Sequence, residues 1–172
     1  MSGQGSSLLV ASSDCASYLK SNPDAIVTTT KNYVMVAGRG PSETMYSREQ
    51  ITALKPTSGE LMVSGMMNGM GSMSMTTGTS MSHVEVHICS KATGRAVTGA
   101  MPAMTLTREG PSPATTTIMV AEMTGLDGSA ADIHYGNNAS TVNGSSYVLR
   151  VMLDGQTGTF TMTTPRAGKS GK

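Results

Sequence analysis

The sequence predicts an all-β protein, an immunoglobulin-like antiparallel β-sandwich with a short N-terminal extension. Three observations predict it. Short runs rich in β-branched residues recur between Gly- and Pro-containing breaks, about seven of them over roughly 100 residues. Residues 83–90 alternate with period two, so that Val84, Val86 and Ile88 point one way and His83, Glu85, His87 and Cys89 the other. Asp154-Gly155 separates two extended runs as a two-residue hairpin turn. The 172 residues suit one domain with an extension. Residues 1–59 are read as that extension, partly strand and partly short helix, packing on the sandwich. Residues 60–163 are the sandwich, and 164–172 a disordered Gly/Lys-rich tail.

In chain order, 13–21 (SDCASYLKS) predicts a short helix that stops before Pro23. Residues 25–37 (AIVTTTKNYVMVA) are a strand pair or one long strand, broken by Gly38-Arg39-Gly40-Pro41. Ser47 caps a helix over 48–54, with Gln50 at the capping-box position. Strands follow at 60–66, 83–90, 96–107 and 115–121, with Gly99 and Pro102 marking a bulge or an edge. Residues 125–143 read as a long loop with extended pieces. The last hairpin pairs 147–153 with 157–163.

Composition narrows the function. Sixteen methionines exceed what a core needs as gap-filler, whereas only 13% of residues are charged. A net charge of +1 without a Lys/Arg cluster argues against nucleic acid and anionic lipid. Five Tyr, one Phe and no Trp supply little for base stacking. Cys15 and Cys89 allow either one disulfide, which fits an oxidising compartment, or two free thiols. No apolar stretch of about 18 residues occurs. No signal peptide is visible at Met1-Ser2-Gly3-Gln4-Gly5, and a leader or anchor is expected in the natural precursor.

Three constellations carry chemistry. His83, Glu85 and His87 share one face of one strand, a spacing that suits a divalent metal; the competing reading is a solvated outer face. His134 opens His-Tyr-Gly-Asn-Asn, where a neighbouring glycine lets it turn toward a site, or leaves it a plain turn residue. Met66, Met67, Met70, Met73, Met75 and Met81 lie among Gly, Ser and Thr, so they cannot all be core. They are soft ligands for Cu(I) or a flexible contact surface. Met119 and Met123, before the His134 loop, are further candidates. There is no G-x-S-x-G, no phosphate-binding loop and no Cys-x-x-Cys, and the chain is read as a binding protein rather than an enzyme.

These segments together resemble the periplasmic iron-transport accessory family, immunoglobulin-like copper-binding partners of ferrous-iron permeases. His83-Val84-Glu85 matches its His-x-Glu, and His134-Tyr135-Gly136-Asn137-Asn138 its signature; the likeness spans roughly 60–163. The resemblance implies one metal held by His83, Glu85, His134 and a Met, with Met119 and Met123 both open. The family's further downstream His is missing here, leaving His87 or a methionine such as Met81 to substitute. It also implies copper, with Fe2+ as a second cargo, an extracytoplasmic location, a permease or copper-receiving protein as partner, and a homodimer as one assembly. A copper chaperone or resistance protein of the same fold, and an adhesive sandwich without metal, are the alternatives.

Overall fold

The computed structural model describes residues 13–65 and 78–166. Within them the chain is a two-layer β-sandwich. The larger sheet has seven strands in the order β1-β2-β5-β9-β8-β4-β3, the smaller four in the order β11-β10-β6-β7. The strands are β1 (Ile26–Thr29), β2 (Tyr33–Pro41), β3 (Met45–Tyr46), β4 (Glu60–Gly65), β5 (Thr79–Ser90), β6 (Ala103–Arg108), β7 (Ala114–Ile118), β8 (Ala121–Gly125), β9 (His134–Val142), β10 (Ser146–Leu153) and β11 (Gln156–Thr163). All described pairings are antiparallel except β3 with β4.

The core lies between the sheets. Met35, Val84, Val86, Ile88 and Tyr135 of the larger sheet meet Met104, Leu106, Leu149, Val151 and Phe160 of the smaller. This is the alternation read from 83–90, and it sends His83, Glu85, His87 and Cys89 to the opposite, outer face. Helix α1 (Asp14–Ser21) covers part of that face, fastened by a Cys15–Cys89 disulfide. Cys15, Val34, Val36 and Cys89 form a small buried cluster beneath it.

Several expectations from sequence are met closely. Helix α2 (Arg48–Leu54) begins with a capping box in which Ser47 Oγ accepts from the Gln50 amide and Gln50 Oε1 from the Ser47 amide. The last hairpin turns at Asp154 (φ 51°) and Gly155 (φ 71°).

Others are corrected. Of the expected extension, the described residues 13–59 do not simply pack on the sandwich, because β1, β2 and β3 are strands of its larger sheet and β2 pairs with β5 along nine positions, Tyr33↔Ser90 to Pro41↔Ser82. Gly38-Arg39-Gly40-Pro41 ends β2 rather than breaking it. Residues 96–107 form a strand only from Ala103; before it Ala96 makes an isolated bridge to Cys89, and Gly99 has φ 68°. The expected loop at 125–143 contains β9, which pairs with both β5 and β8. Asn and Gly have low strand propensity, yet the ladder and the side-chain bonds described below override it. Of the expected tail, Thr164 is buried and its hydroxyl donates to Val142 O; residues 167–172, like Met66, Met67, Met70, Met73 and Met75, lie outside the described residues.

Candidate metal centre

Strand pairing places the site. Across the larger sheet, Glu85 of β5 lies between Gly38 of β2 and Gly136 of β9. One step along, His83 lies between Gly40 and Asn138. His134 pairs with Met123 of β8, which pairs in turn with Met62 of β4. Glu60, at the start of β4, reaches over from the same side. The glycines are steric requirements. A Cβ at Gly136 would run into Val84 O, and one at Gly38 into the Tyr18 hydroxyl, both far inside van der Waals contact.

Four side chains converge. His83 Nε2 lies 3.3 Å from Glu60 Oε2 and 3.5 Å from Glu85 Oε2. His134 Nε2 lies 3.0 Å from Glu60 Oε1 and 3.4 Å from the same Glu85 Oε2. Ligand atoms about 2.1 Å from a shared ion stand about 3.0 Å apart at right angles and about 3.4 Å apart at the tetrahedral angle. Three of the observed separations fall in that window, and the fourth, His83 Nε2 to Glu85 Oε2, lies just above it. Glu60, His83, Glu85 and His134 each offer one donor atom within 4.8 Å of all the others.

The imidazoles are aimed. His83 Nδ1 meets Asn138 Oδ1 at 3.2 Å, and His134 Nδ1 meets the Asp132 carbonyl at 2.8 Å. Each acceptor fixes the proton on Nδ1 of a neutral ring and turns the Nε2 lone pair into the cluster, the usual outer support of a metal-binding His. Asn138 is itself held, donating to Glu43 O and accepting from the Glu43 amide. Three buried side-chain atoms among the described residues make no hydrogen bond: Glu60 Oε2, His83 Nε2 and His87 Nε2. The first two belong to the four and face each other at 3.3 Å, and His87 Nε2 lies beside them, 4.0 Å from Glu85 Oε1.

The charges are tightly coupled. Burial by itself would raise the Glu85 pKa, but the His83 hydrogen bond and the nearby His134 and His87 rings hold it at about 2. Burial by itself would lower His134; the Glu60 hydrogen bond and the Glu85 and Glu60 charges raise it to about 9. His83 is raised too, its burial outweighed by Glu85 and Glu60. His87 moves the other way, to about 3, through burial and the adjacent His134. Two carboxylates thus keep protons on the imidazoles between them, the charge that a cation would otherwise bring.

The sequence candidates separate cleanly. His83, Glu85 and His134 come together. The outer face of β5 is not solvated: His83 and His87 are 3% and 2% exposed, and Tyr18 of α1 stacks on His87 with ring centroids 3.7 Å apart. The Tyr18 hydroxyl donates to Glu85 Oε1. Met123 is fully buried beside His134, packed with Met45, Ala121 and Met62. Met119 is 41% exposed just beyond the end of β7, where its carbonyl accepts from Asn137 Nδ2. Met81 shares the outer face but pairs with Ser140, two residues past His83 and so about 6.6 Å along the strand. Sequence reasoning missed Glu60, Asp132 and Tyr18. Glu60 carried a faint signal, as the acidic head of a strand just after a Pro-Thr-Ser-Gly break.

No family model, no curated protein and no solved structure matches this chain. No helix among the described residues is long and apolar enough to cross a membrane.

Proposed function

We propose that this chain is a metal-binding β-sandwich whose buried centre is Glu60, His83, Glu85 and His134. The observation that carries the reading is the convergence of four side chains at ligand-to-ligand spacing, with two of the facing atoms, His83 Nε2 and Glu60 Oε2, buried without a hydrogen bond.

The particular ion we propose is copper, handled outside the cytoplasm, as the resemblance of the His-x-Glu and His-Tyr-Gly-Asn-Asn segments implies. Two imidazoles and two carboxylates bind Cu(II) ahead of other first-row divalent ions in the absence of geometric discrimination. The thioether of Met123, which pairs with His134, and those of Met45 and Met62 packed with it offer soft donors for the reduced ion. Pairing of both cysteines in a disulfide supports an oxidising compartment. Ferrous iron is a second reading favoured by one observation, the second carboxylate Glu60, since hard oxygen donors suit Fe(II) better than Cu(I). A permease or copper-receiving protein as partner follows from the same resemblance.

The test is metal analysis of the isolated protein, then competition titration with Cu(II) and, without oxygen, Cu(I) and Fe(II). One tightly held copper per chain is expected. Binding that survives both His83→Ala and His134→Ala unchanged overturns the centre.

A further inference from the structure

The four-residue centre leaves His87, Asp132 and Tyr18 unexplained. His87 is buried on the same strand face, and its Nε2 has no hydrogen-bond partner. His87, Asp132 and His134 form a second group whose donor atoms lie within 4.8 Å of one another. Glu85 stands between the two groups. Its Oε2 faces His83 and His134, while its Oε1 lies 4.0 Å from His87 Nε2.

We propose that His87, Asp132 and the Oε1 side of Glu85 form a second, weaker cation position, bridged to the first by the Glu85 carboxylate. The proposal rests on the centre described above. Asp132 is held ready to bind: its Oδ2 accepts from the Gly125 amide, and the 3₁₀ turn Ala130–Asp132 brings it against α1. Asp132 also lines a surface cleft with Asp14, Ser17, Tyr18, Asp127 and Ser129. Tyr18 and Asp132 are thus shared between that cleft and the second position. The carboxylates of Asp14, Asp127 and Asp132 there favour a divalent cation over an anion. Tyr18 closes the position from above, by its stack on His87 and its hydrogen bond to Glu85 Oε1. The ligands are imidazole nitrogen and carboxylate oxygen, a set for borderline divalent ions such as Co(II), Zn(II) or Cu(II).

The experiment is equilibrium dialysis of the full chain against Co(II), which thioethers hold poorly, for the parent, His87→Gln and Asp132→Asn. The parent is expected to hold two ions, the second at least about tenfold weaker. Each variant keeps the first ion within about threefold and loses the second. Thermal melting verifies that both variants fold, and the retained first ion is an internal check on the same point. A parent that holds one ion, or variants that still hold two, overturns the second position and leaves the first standing. A parent that holds none overturns both.

Discussion

The two sheets of this sandwich use their outer faces differently. In the smaller sheet, β10 and β11 alternate strictly, with Leu149, Val151, Phe160 and Met162 buried and Arg150, Met152, Thr159 and Thr161 exposed. In the larger sheet, β5 is buried on both faces from Ser82 to Cys89 apart from a half-buried Glu85, and β9 from His134 to Ala139. One face of each is apolar core. The other is His83, His87, His134 and Asn138, roofed in part by α1 and its disulfide. The smaller sheet buries one face only. The larger keeps a second interior of ionisable groups, which is costly to desolvate.

The comparison can be broken at several depths. The largest effect belongs to the common core: Leu149→Ala, at a fully buried position, should cost about 2–5 kcal/mol in denaturant unfolding while leaving metal affinity intact. Next comes the staple over the second interior. Replacing both Cys15 and Cys89 by Ala opens a link spanning 74 residues and should cost about 4 kcal/mol, measured the same way under non-reducing conditions. Unlike Leu149→Ala, this change should also raise hydrogen exchange in α1 first, since the disulfide ties that helix to β5.

Smaller effects separate the ligands. His83→Ala and His134→Ala should each weaken Cu(II) binding at least about tenfold, roughly 1.4 kcal/mol, in competition titration. His87→Ala should weaken the first ion less, because its ring faces the far oxygen of Glu85. Equal losses at all three positions would merge the two groups into one.

The mildest lever is pH. The His134 pKa is raised to about 9, so its bound proton stabilises the metal-free fold fully below about 6.5, and that contribution fades as pH rises through 9. Metal must displace this proton. Apparent Cu(II) affinity should therefore keep climbing from pH 7 toward 9, with proton release visible as a buffer-dependent binding enthalpy. A plateau above pH 6.5, the behaviour of an unperturbed imidazole, would show that the carboxylates do not hold that proton.

Much of this was legible in the chain because it is local. Period two placed His83, Glu85 and His87 on one face, Ser47 and Gln50 announced a helix start, and Asp154-Gly155 announced a hairpin. The His-Tyr-Gly-Asn-Asn segment was legible as a site but not as a strand. Tyr135 is core, its hydroxyl donating to Val97 O; Asn137 donates to Met119 O; Asn138 orients His83. Each of those partners is far along the sequence, so nothing nearby reveals that the polar residues are satisfied within a central strand. Glu60 and Tyr18 escaped for the same reason: they reach the site only through the order β5-β9-β8-β4 and through the disulfide.

The glycines flanking Glu85 set a condition on anyone who would move this site to another protein. Copying His-x-Glu-x-His onto a host strand transfers the donors without their clearance. Gly38 stands 47 positions before Glu85 and Gly136 51 after it, on two other strands. A methyl group at Gly136 drives β9 into the β5 backbone, and one at Gly38 drives Tyr18 off the carboxylate. The portable unit is therefore the five-strand width β2-β5-β9-β8-β4, notched at Gly38 and Gly136, and a graft that omits the notches inherits the donors but not the space between them.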